Sequence, residues 1–201
     1  MVQLDGLGKA TGTARDIYSD YNAYNFRENY SGLSEESYLE KLEGNYKGID
    51  IANHKVTNVK ELSKPIMEEY SFTHNSIADV IGDKMYITPL LFLTPSENPF
   101  KQEKREYPID FVFPHQDKYM VTLTLPDGYV VESMPQSMSL AMEQNIGSFK
   151  YMLANNGKQI QASISLDLNY ANISPDYYET LKGFFQKVIE KQNEKIVLKK
   201  Q

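Results

Sequence analysis

The stretch REYPIDFVFPHQDKYMVTLTLPDGYVVESMP, residues 105–135, carries the strongest strand signal in the chain. Within it Tyr119, Val121 and Leu123 alternate with Met120, Thr122 and Thr124, the period of two expected when one face of a sheet packs on a core. The Pro-Asp-Gly sequence at 126–128 supplies the residue types of a tight turn, and a short second strand follows it. The stretch therefore predicts strands of a half-buried sheet.

Two further signals lie on its C-terminal side. Alternating apolar residues flank Asn155-Asn156-Gly157, and Asn-Gly between two such runs predicts a β-hairpin with a type I′ turn. Ser174 and Pro175 then have the residue types of a helix start. The apolar face of this predicted helix is expected to pack on the sheet of the hairpin, and it comprises Tyr178, Leu181, Phe184, Phe185, Val188 and Ile189. Residues 196–198 predict a last short strand.

The N-terminal half shows weaker patterns. Residues 4–30 are polar and rich in Gly, Thr and Tyr, and they predict one or two extended strands. Ser34 can cap a helix that has Glu35 and Glu36 in its first turn and Gly44 at its end. Further strand-like runs follow at 49–59, 66–72 and 85–92.

These patterns together predict a mainly β or α+β fold, with antiparallel, β-sandwich-like sheets and one helix in each half. The interval 94–104 is rich in Pro, Asn and charge, which makes it the best boundary candidate. We therefore expect a β-rich part at 1–104 with one short helix and an antiparallel β domain at 105–201 with a C-terminal helix. A single continuous sandwich with a long connection is the alternative.

Composition excludes several classes of function. The formal net charge is −6 and the basic residues are scattered, which argues against a nucleic-acid surface. The chain has no cysteine, so it can form neither disulfides nor thiolate metal sites. The N-terminal residues show no signal-peptide pattern and no apolar run is long enough to span a membrane, so we expect no targeting signal within these 201 residues.

No residue pattern identifies an active site. His54, His74 and His115 lack the spacing of helical metal ligands, and Asp50 and His54 would simply share a strand face. The glycines of residues 6–12 superficially suggest a phosphate loop but lack its Gly-Lys-Ser/Thr ending, so a glycine-punctuated strand entry is favoured. We therefore predict no catalytic, cofactor-binding or metal-binding residues, no cofactor and no enzymatic activity. A hydrolase with distant paired carboxylates stays open, because spacing alone does not reveal such pairs.

Several segments resemble the C-terminal accessory region, of unknown function, of bacterial transglutaminase-like proteins, which carry a papain-type catalytic core. The resemblance begins near Asp16 and extends over most of the chain. Its first pieces are Tyr18, residues 20–24 and Arg27, and the others are residues 82–87, 98–100, 105–111, 125–132 and 188–200. None of these pieces is catalytic, and the resemblance rests on their order.

The resemblance implies a non-catalytic module that braces or gates a transglutaminase-like core. That core works through a Cys, a His and an Asp, and this chain has no cysteine, so the resemblance implies a non-catalytic portion that is either excised from a longer protein or encoded as a remnant. The partner core is then expected in the same polypeptide. An apolar or aromatic docking surface is then expected on the N-terminal part, and the location would be periplasmic or on the cell surface. The alternative is an extracytoplasmic binding module for a glycan or a cell-wall peptide, to which some of the fifteen tyrosines would contribute stacking faces.

Overall fold

The chain forms two compact units, Met1–Ile77 and Ala78–Gln201. The structure is a computed structural model that describes residues 1–30 and 32–201. In both units antiparallel strands and helices pack together, which confirms the predicted mainly β, α+β class.

The first unit is a sheet covered by helices. Its elements are β1 (Val2–Leu4), β2 (Ala10–Tyr18), α1 (Asp20–Tyr30), α2 (Glu35–Asn45), β3 (Ile49–Thr57) and β4 (Ile66–His74). The strands lie in the order β1-β2-β4-β3, and each neighbouring pair is antiparallel. Phe26 of α1 and Tyr38 of α2 pack with Ile66 of β4 in the core of this unit.

Helix α1 replaces the end of the strand region that the sequence predicts for residues 4–30. Ala23 and Phe26 are buried and Tyr30 packs beside them, a spacing of three and four residues that places one face of a helix on the core. The tyrosines and asparagines between them hide this period in the sequence. The first half therefore contains two helices, α1 and α2, where the sequence predicts one.

Helix α2 confirms the predicted capped helix. The Ser34 hydroxyl accepts a hydrogen bond from the backbone N–H of Ser37 at 3.2 Å, and Glu35 and Glu36 lie in the first turn. The helix continues one residue beyond Gly44, which the sequence predicts as its end. The carboxylates of Glu35 and Glu36, at the N-terminal end of α2, interact favourably with the helix dipole.

The second unit contains two main sheets and a long helix. Its elements are β5 (Asp79–Ile81), β6 (Lys84–Ile87), β7 (Ile109–Asp110), β8 (His115–Thr124), β9 (Tyr129–Ser133), β10 (Met138–Ala141), β11 (Gly147–Asn155), β12 (Gln159–Leu168), β13 (Asn172–Ile173), α3 (Tyr178–Asn193) and β14 (Ile196–Lys200). Strands β10-β11-β12-β8 are hydrogen-bonded in that order, as are β5-β6-β14-β9, and β13 pairs with β7. The apolar residues after β6 form a 3₁₀ turn at Leu91–Leu93 instead of continuing the predicted strand, because Pro89 interrupts it.

The predicted hairpin is confirmed, with a shifted turn. Strands β11 and β12 pair from Gly147↔Leu168 to Asn155↔Ile160. Gly157 has a φ of 91°, and the backbone N–H of Asn156 donates to the carbonyl of Gln159 at 3.1 Å. The turn therefore lies one residue later in the chain than predicted, with Gly157 at its first central position instead of the second position that a type I′ Asn-Gly turn gives it.

Helix α3 packs on this hairpin as the sequence predicts. Its buried residues Leu181, Phe184 and Val188 share a core cluster with Phe149 of β11 and Ile164 of β12. The following strand β14 pairs with both β6 and β9, which confirms the predicted last strand.

The predicted boundary at Lys104 lies inside the second unit. Met85 of β6 pairs with Leu198 of β14, so the segment just after Ala78 forms a sheet with the C-terminal end of the chain. This long-range pairing leaves no local trace in composition, whereas residues 94–104 carry the local marks of a linker.

Removal of the Tyr151 hydroxyl is expected to stabilise the second unit. Tyr151 is fully buried, and within the described residues its hydroxyl is buried without a hydrogen-bond partner. Tyr151→Phe should therefore raise the free energy of unfolding by about 0.5–1 kcal/mol, because an unsatisfied polar group is removed without loss of ring packing. Urea denaturation measures the change.

Tyr178→Phe is the matched control. The Tyr178 hydroxyl donates to the carbonyl of Gln102 at 2.8 Å, so its loss should cost about 1 kcal/mol. Equal destabilisation by both substitutions would show that the Tyr151 hydroxyl is satisfied in solution.

Candidate functional site

A pair of acidic residues lies on the helix-covered face of the sheet in the first unit. Along β4 the buried positions alternate and include Ile66, Glu68 and Tyr70. Asp16 of β2 lies directly opposite Glu68 in the antiparallel register. Like charges at directly opposite positions repel each other, so a half-buried Asp16 opposite a fully buried Glu68 is unusual for a purely structural sheet.

A β-bulge in β3 turns a histidine toward this pair. The register with β4 shifts between Ala52 and Lys55, and Asn53 adopts a φ of 54°. The Asn53 amide donates to the Ser71 hydroxyl, which in turn donates to the carbonyl of Ala52, both at 2.9 Å. These bonds hold the extra residue in place, and His54 then points inward with only 7% of its side chain exposed.

The bulge also corrects the expectation that Asp50 and His54 share a face. One extra residue shifts the alternation of the strand, so Asp50 is exposed while His54 lies over the core. The sequence does not predict this change, because the bulge depends on the pairing with β4.

Three donors converge on the carboxylate of Glu68, which is fully buried. The Tyr38 hydroxyl lies 2.6 Å and His54 Nε2 lies 2.9 Å from Glu68 Oε1. The Tyr18 hydroxyl lies 3.0 Å from Glu68 Oε2. These contacts satisfy a buried carboxylate, and we call Asp16, Tyr18, Tyr38, His54 and Glu68 the Glu68 cluster.

Burial and the neighbouring Glu68 raise the pKa of Asp16 to about 6, with burial as the larger cause. The pKa of Tyr18 is raised by burial first and by the charge of Glu68 second, and that of Tyr38 by burial first and by its hydrogen bond to Glu68 second. Both tyrosines therefore remain protonated donors at neutral pH, whereas Asp16 changes its charge just below neutral pH.

The cluster is connected to the surface through His54. Its Nδ1 lies 3.4 Å from Oε1 of Glu35, whose side chain is 69% exposed. Glu68, His54 and Glu35 thus form a line of polar groups from the core to solvent.

Two cavities share an aromatic wall beside the cluster. The wall consists of Phe26, Tyr30 and Tyr38, whose ring centroids lie 5.1–5.8 Å apart. One cavity, of about 280 Å³, we call the asparagine pocket, and it is also lined by Asn22, Asn25, Asn29, Asn45, Tyr18, Tyr46, Lys41 and Leu42. The other, of about 320 Å³, we call the Glu35 pocket, and it is also lined by Leu33, Glu35, His54, Lys55, Val56 and Val59.

The other residues considered from the sequence have structural contacts. His74 Nε2 lies 3.0 Å from the carbonyl of Lys47, and His115 Nδ1 lies 3.2 Å from the carbonyl of Phe113. The glycine segment forms a turn between β1 and β2, where the Asp5 carboxylate accepts from the N–H groups of Leu7 and Lys9. In the described part of the chain, no group of three or more His, Asp or Glu residues is placed to hold a metal ion.

Sequence reasoning missed the Glu68 cluster, although one signal was present. In residues 66–72, Glu68 occupies the same parity as Ile66, Tyr70 and Phe72. A charged residue at an inward position of an otherwise apolar strand face indicates a buried, partnered carboxylate. The partners themselves come from β2, α2 and the bulge, and no local pattern identifies them.

The fold and the site define a β-rich protein of two sheet-and-helix units with a buried Glu–Tyr–His cluster in the first. Residues 83–198 match the family described as "Domain of Unknown Function with solved-structure structure (DUF3858)". The match covers more than half of the chain, so the chain belongs to this family. The matched residues lie in the second unit, so the Glu68 cluster lies outside them.

The comparison with solved structures gives one distant relative. It is a crystal structure from Parabacteroides distasonis described as a "putative protease", with 13% identity and a TM-score of 0.45. The alignment covers 57% of this chain and 23% of that one, so the chain spans about a quarter of that structure. A search of curated proteins found no match. None of these results names the transglutaminase-like class, so that resemblance stays a prediction.

The described helices give no membrane-spanning candidate. Over residues 1–30 and 32–201, none combines the length and the apolar character that crossing a bilayer requires.

Proposed function

We propose that this chain is a non-catalytic accessory module of a transglutaminase-like protein, in which it braces or gates a catalytic core. The observation that carries the proposal is the outward face of α1. Tyr21 and Tyr24, three residues apart on this helix, are 59% and 56% exposed. Exposed aromatic groups of this kind are enriched where proteins dock on one another.

The opposite face of α1 holds the helix in its own unit. Ala23 and Phe26 already anchor the helix in its own unit, at 2% and 6% exposure. The exposed parts of Tyr21 and Tyr24 could be covered by a partner without displacing Ala23 or Phe26, and burial of two such rings would contribute favourably to association. The nucleophile of the class is a cysteine, and this chain has none, so catalysis is assigned to the partner core.

We place such an assembly in the periplasm or on the cell surface of a bacterium, by the same resemblance. The partner core would belong to the same polypeptide or to a companion protein. Neither nucleic acid nor a membrane is needed as a partner, and the net charge of −6 agrees with this.

Calorimetric titration with a separately expressed transglutaminase-like core from the same organism tests this proposal. We expect saturable heat with the full chain and at least about tenfold weaker binding for the double variant Tyr21→Ser/Tyr24→Ser, since buried aromatic anchors dominate interfaces. The matched control is Tyr107→Ser/Tyr170→Ser, which removes two exposed tyrosines of the second unit that are 76% and 48% exposed. No heat at two temperatures, or equal loss in both double variants, would contradict the proposal.

The second candidate, a binding module for a glycan or a cell-wall peptide, is favoured by the asparagine pocket. Asn22, Asn25 and Asn29 lie on one face of α1 and line this pocket, with Tyr18 and Tyr46 across from them. Amide side chains form paired hydrogen bonds with hydroxyl and peptide groups, and aromatic rings stack on sugar faces. Titrating glycan and peptide panels beside the core in the same calorimetric experiment separates the two candidates.

A further inference from the structure

We infer that the Glu35 pocket binds a small organic ammonium ion, either a protonated primary amine or a quaternary ammonium ion. This inference goes beyond the docking proposal, because it concerns the pocket between α1, α2 and β3 and not the outward face of α1. The two proposals can therefore fail separately.

The size and walls of the pocket suit such a group. Its volume of about 320 Å³ lies in the range of small-molecule sites. Phe26, Tyr30 and Tyr38 line it together, and the ring of Tyr38 is further packed against His54 with a centroid distance of 5.2 Å. Phe26 and Tyr38 are buried and Tyr30 is the partly exposed ring of the three, and the face of such a ring carries negative electrostatic potential that attracts a cation.

The acidic groups of the pocket add to this attraction. The Glu35 carboxylate lies at the pocket, and the only ion-pair partner it has among the described residues is His54 at 3.4 Å. Behind His54 lies the buried Glu68 carboxylate, 2.9 Å from Nε2. A ligand ammonium could therefore pair with Glu35 while the rings cover its apolar part.

Lys55 is a cationic residue at the same pocket, so it would repel a bound ammonium ion. This residue also lines the pocket, but it is exposed on β3 and its flexible stem allows the amine to stay in solvent. If the pocket takes a cation, removal of Glu35 and removal of Lys55 must act in opposite directions. If it takes an anion, both signs are reversed.

The experiment is a titration of the full chain with choline chloride and with n-butylammonium chloride, followed by NMR shifts of the backbone amides. The neutral control is 3,3-dimethylbutan-1-ol, which has nearly the shape of choline without the charge, and the ionic strength is held constant with NaCl. We expect saturable shifts at pocket residues for at least one ammonium ion in the millimolar range. The comparison of the two ammonium ions then separates a quaternary from a primary amine site.

The variants assign the site. Glu35→Gln should weaken binding at least about fivefold, because a charge-assisted contact is lost. Lys55→Gln should tighten binding by about two- to fivefold, because the repulsion between like charges is removed. Glu36→Gln is the matched control, since Glu36 carries the same charge in the same first turn of α2 but does not line the pocket, and it should change binding less than about twofold.

Three results would overturn the inference. The first is equal binding of the neutral alcohol and choline, which would indicate an apolar pocket without charge selectivity. The second is the absence of saturable shifts with either ammonium ion up to roughly 50 mM, well above the range expected for charge-assisted sites. The third is an equal loss of affinity in Glu35→Gln and Glu36→Gln, which would show that the net negative charge of the protein, and not a contact with Glu35, attracts the ammonium ion. Thermal unfolding of each variant confirms that it is folded.

Discussion

Asp16→Asn is expected to stabilise the protein by up to about 3 kcal/mol at pH 7–8 and to lose this advantage below about pH 4. Burial and the opposite Glu68 raise the pKa of Asp16 from 3.8 to about 6 in the folded state. Each unit of pKa difference corresponds to about 1.4 kcal/mol of difference between the two protonation states. Above pH 6 the folded protein carries the full cost of a buried charge that asparagine does not have.

The direction of the pH dependence follows from the raised pKa. Between pH 3.8 and about 6 the folded state binds the Asp16 proton more tightly than the unfolded state does. The contribution of Asp16 to stability therefore falls as the pH rises through this window, and it is constant on either side. In the Asn variant this part of the pH dependence is absent.

Urea denaturation of both proteins at half-unit steps from pH 3.5 to 8 measures this effect. Asp50→Asn is the control, since Asp50 is exposed on β3 and should change stability by less than about 0.5 kcal/mol at every pH. A gain from Asp16→Asn that is the same at pH 4 and pH 8, or no gain at either, would be incompatible with a raised pKa of Asp16.

Glu68→Ala is expected to destabilise the protein by about 3–5 kcal/mol at pH 7. The substitution removes the acceptor shared by the hydroxyls of Tyr18 and Tyr38 and by His54. The Tyr38 hydroxyl, on a buried side chain, and the partly buried Tyr18 and His54 would then lose this acceptor. It also leaves a cavity beneath α2, because Glu68 is fully buried.

Glu69→Ala provides the matched comparison. Glu69 is the next residue of β4 but faces solvent, where it pairs with Arg15 at 3.2 Å. Exposed ion pairs contribute little, so this substitution should cost less than about 1 kcal/mol. Similar losses for the two glutamates in equilibrium unfolding would mean that Glu68 has no special role in the core.

The two substitutions should also be coupled. The charge of Glu68 is the second cause of the raised pKa of Asp16, so in the Glu68→Ala background Asp16→Asn should gain less at pH 7–8 than it gains alone. A double-mutant cycle at pH 7.5 measures this coupling. Additive effects would indicate that the two carboxyl groups do not influence each other.

The parts of the fold that depend on residues close together in the sequence could be predicted. The helix α2 follows from Ser34 and the glutamates after it, and the β11–β12 hairpin follows from alternation around Gly157. Helix α1 could not be predicted in this way, because its apolar face consists of Ala23, Phe26 and Tyr30 among polar residues, and burial against Ile66 selects the helix.

The sequence by itself determined the antiparallel β-rich class, the C-terminal helix and the absence of a thiol nucleophile. These properties depend on alternation, capping residues and composition, all of which act over a few neighbouring positions. Only the tertiary structure decided that Asp16 and Glu68 face each other, that a bulge turns His54 onto Glu68, and that Met85 pairs with Leu198. Strand register and a bulge are set by pairing between distant segments, so the buried acidic cluster exists only once the chain has folded.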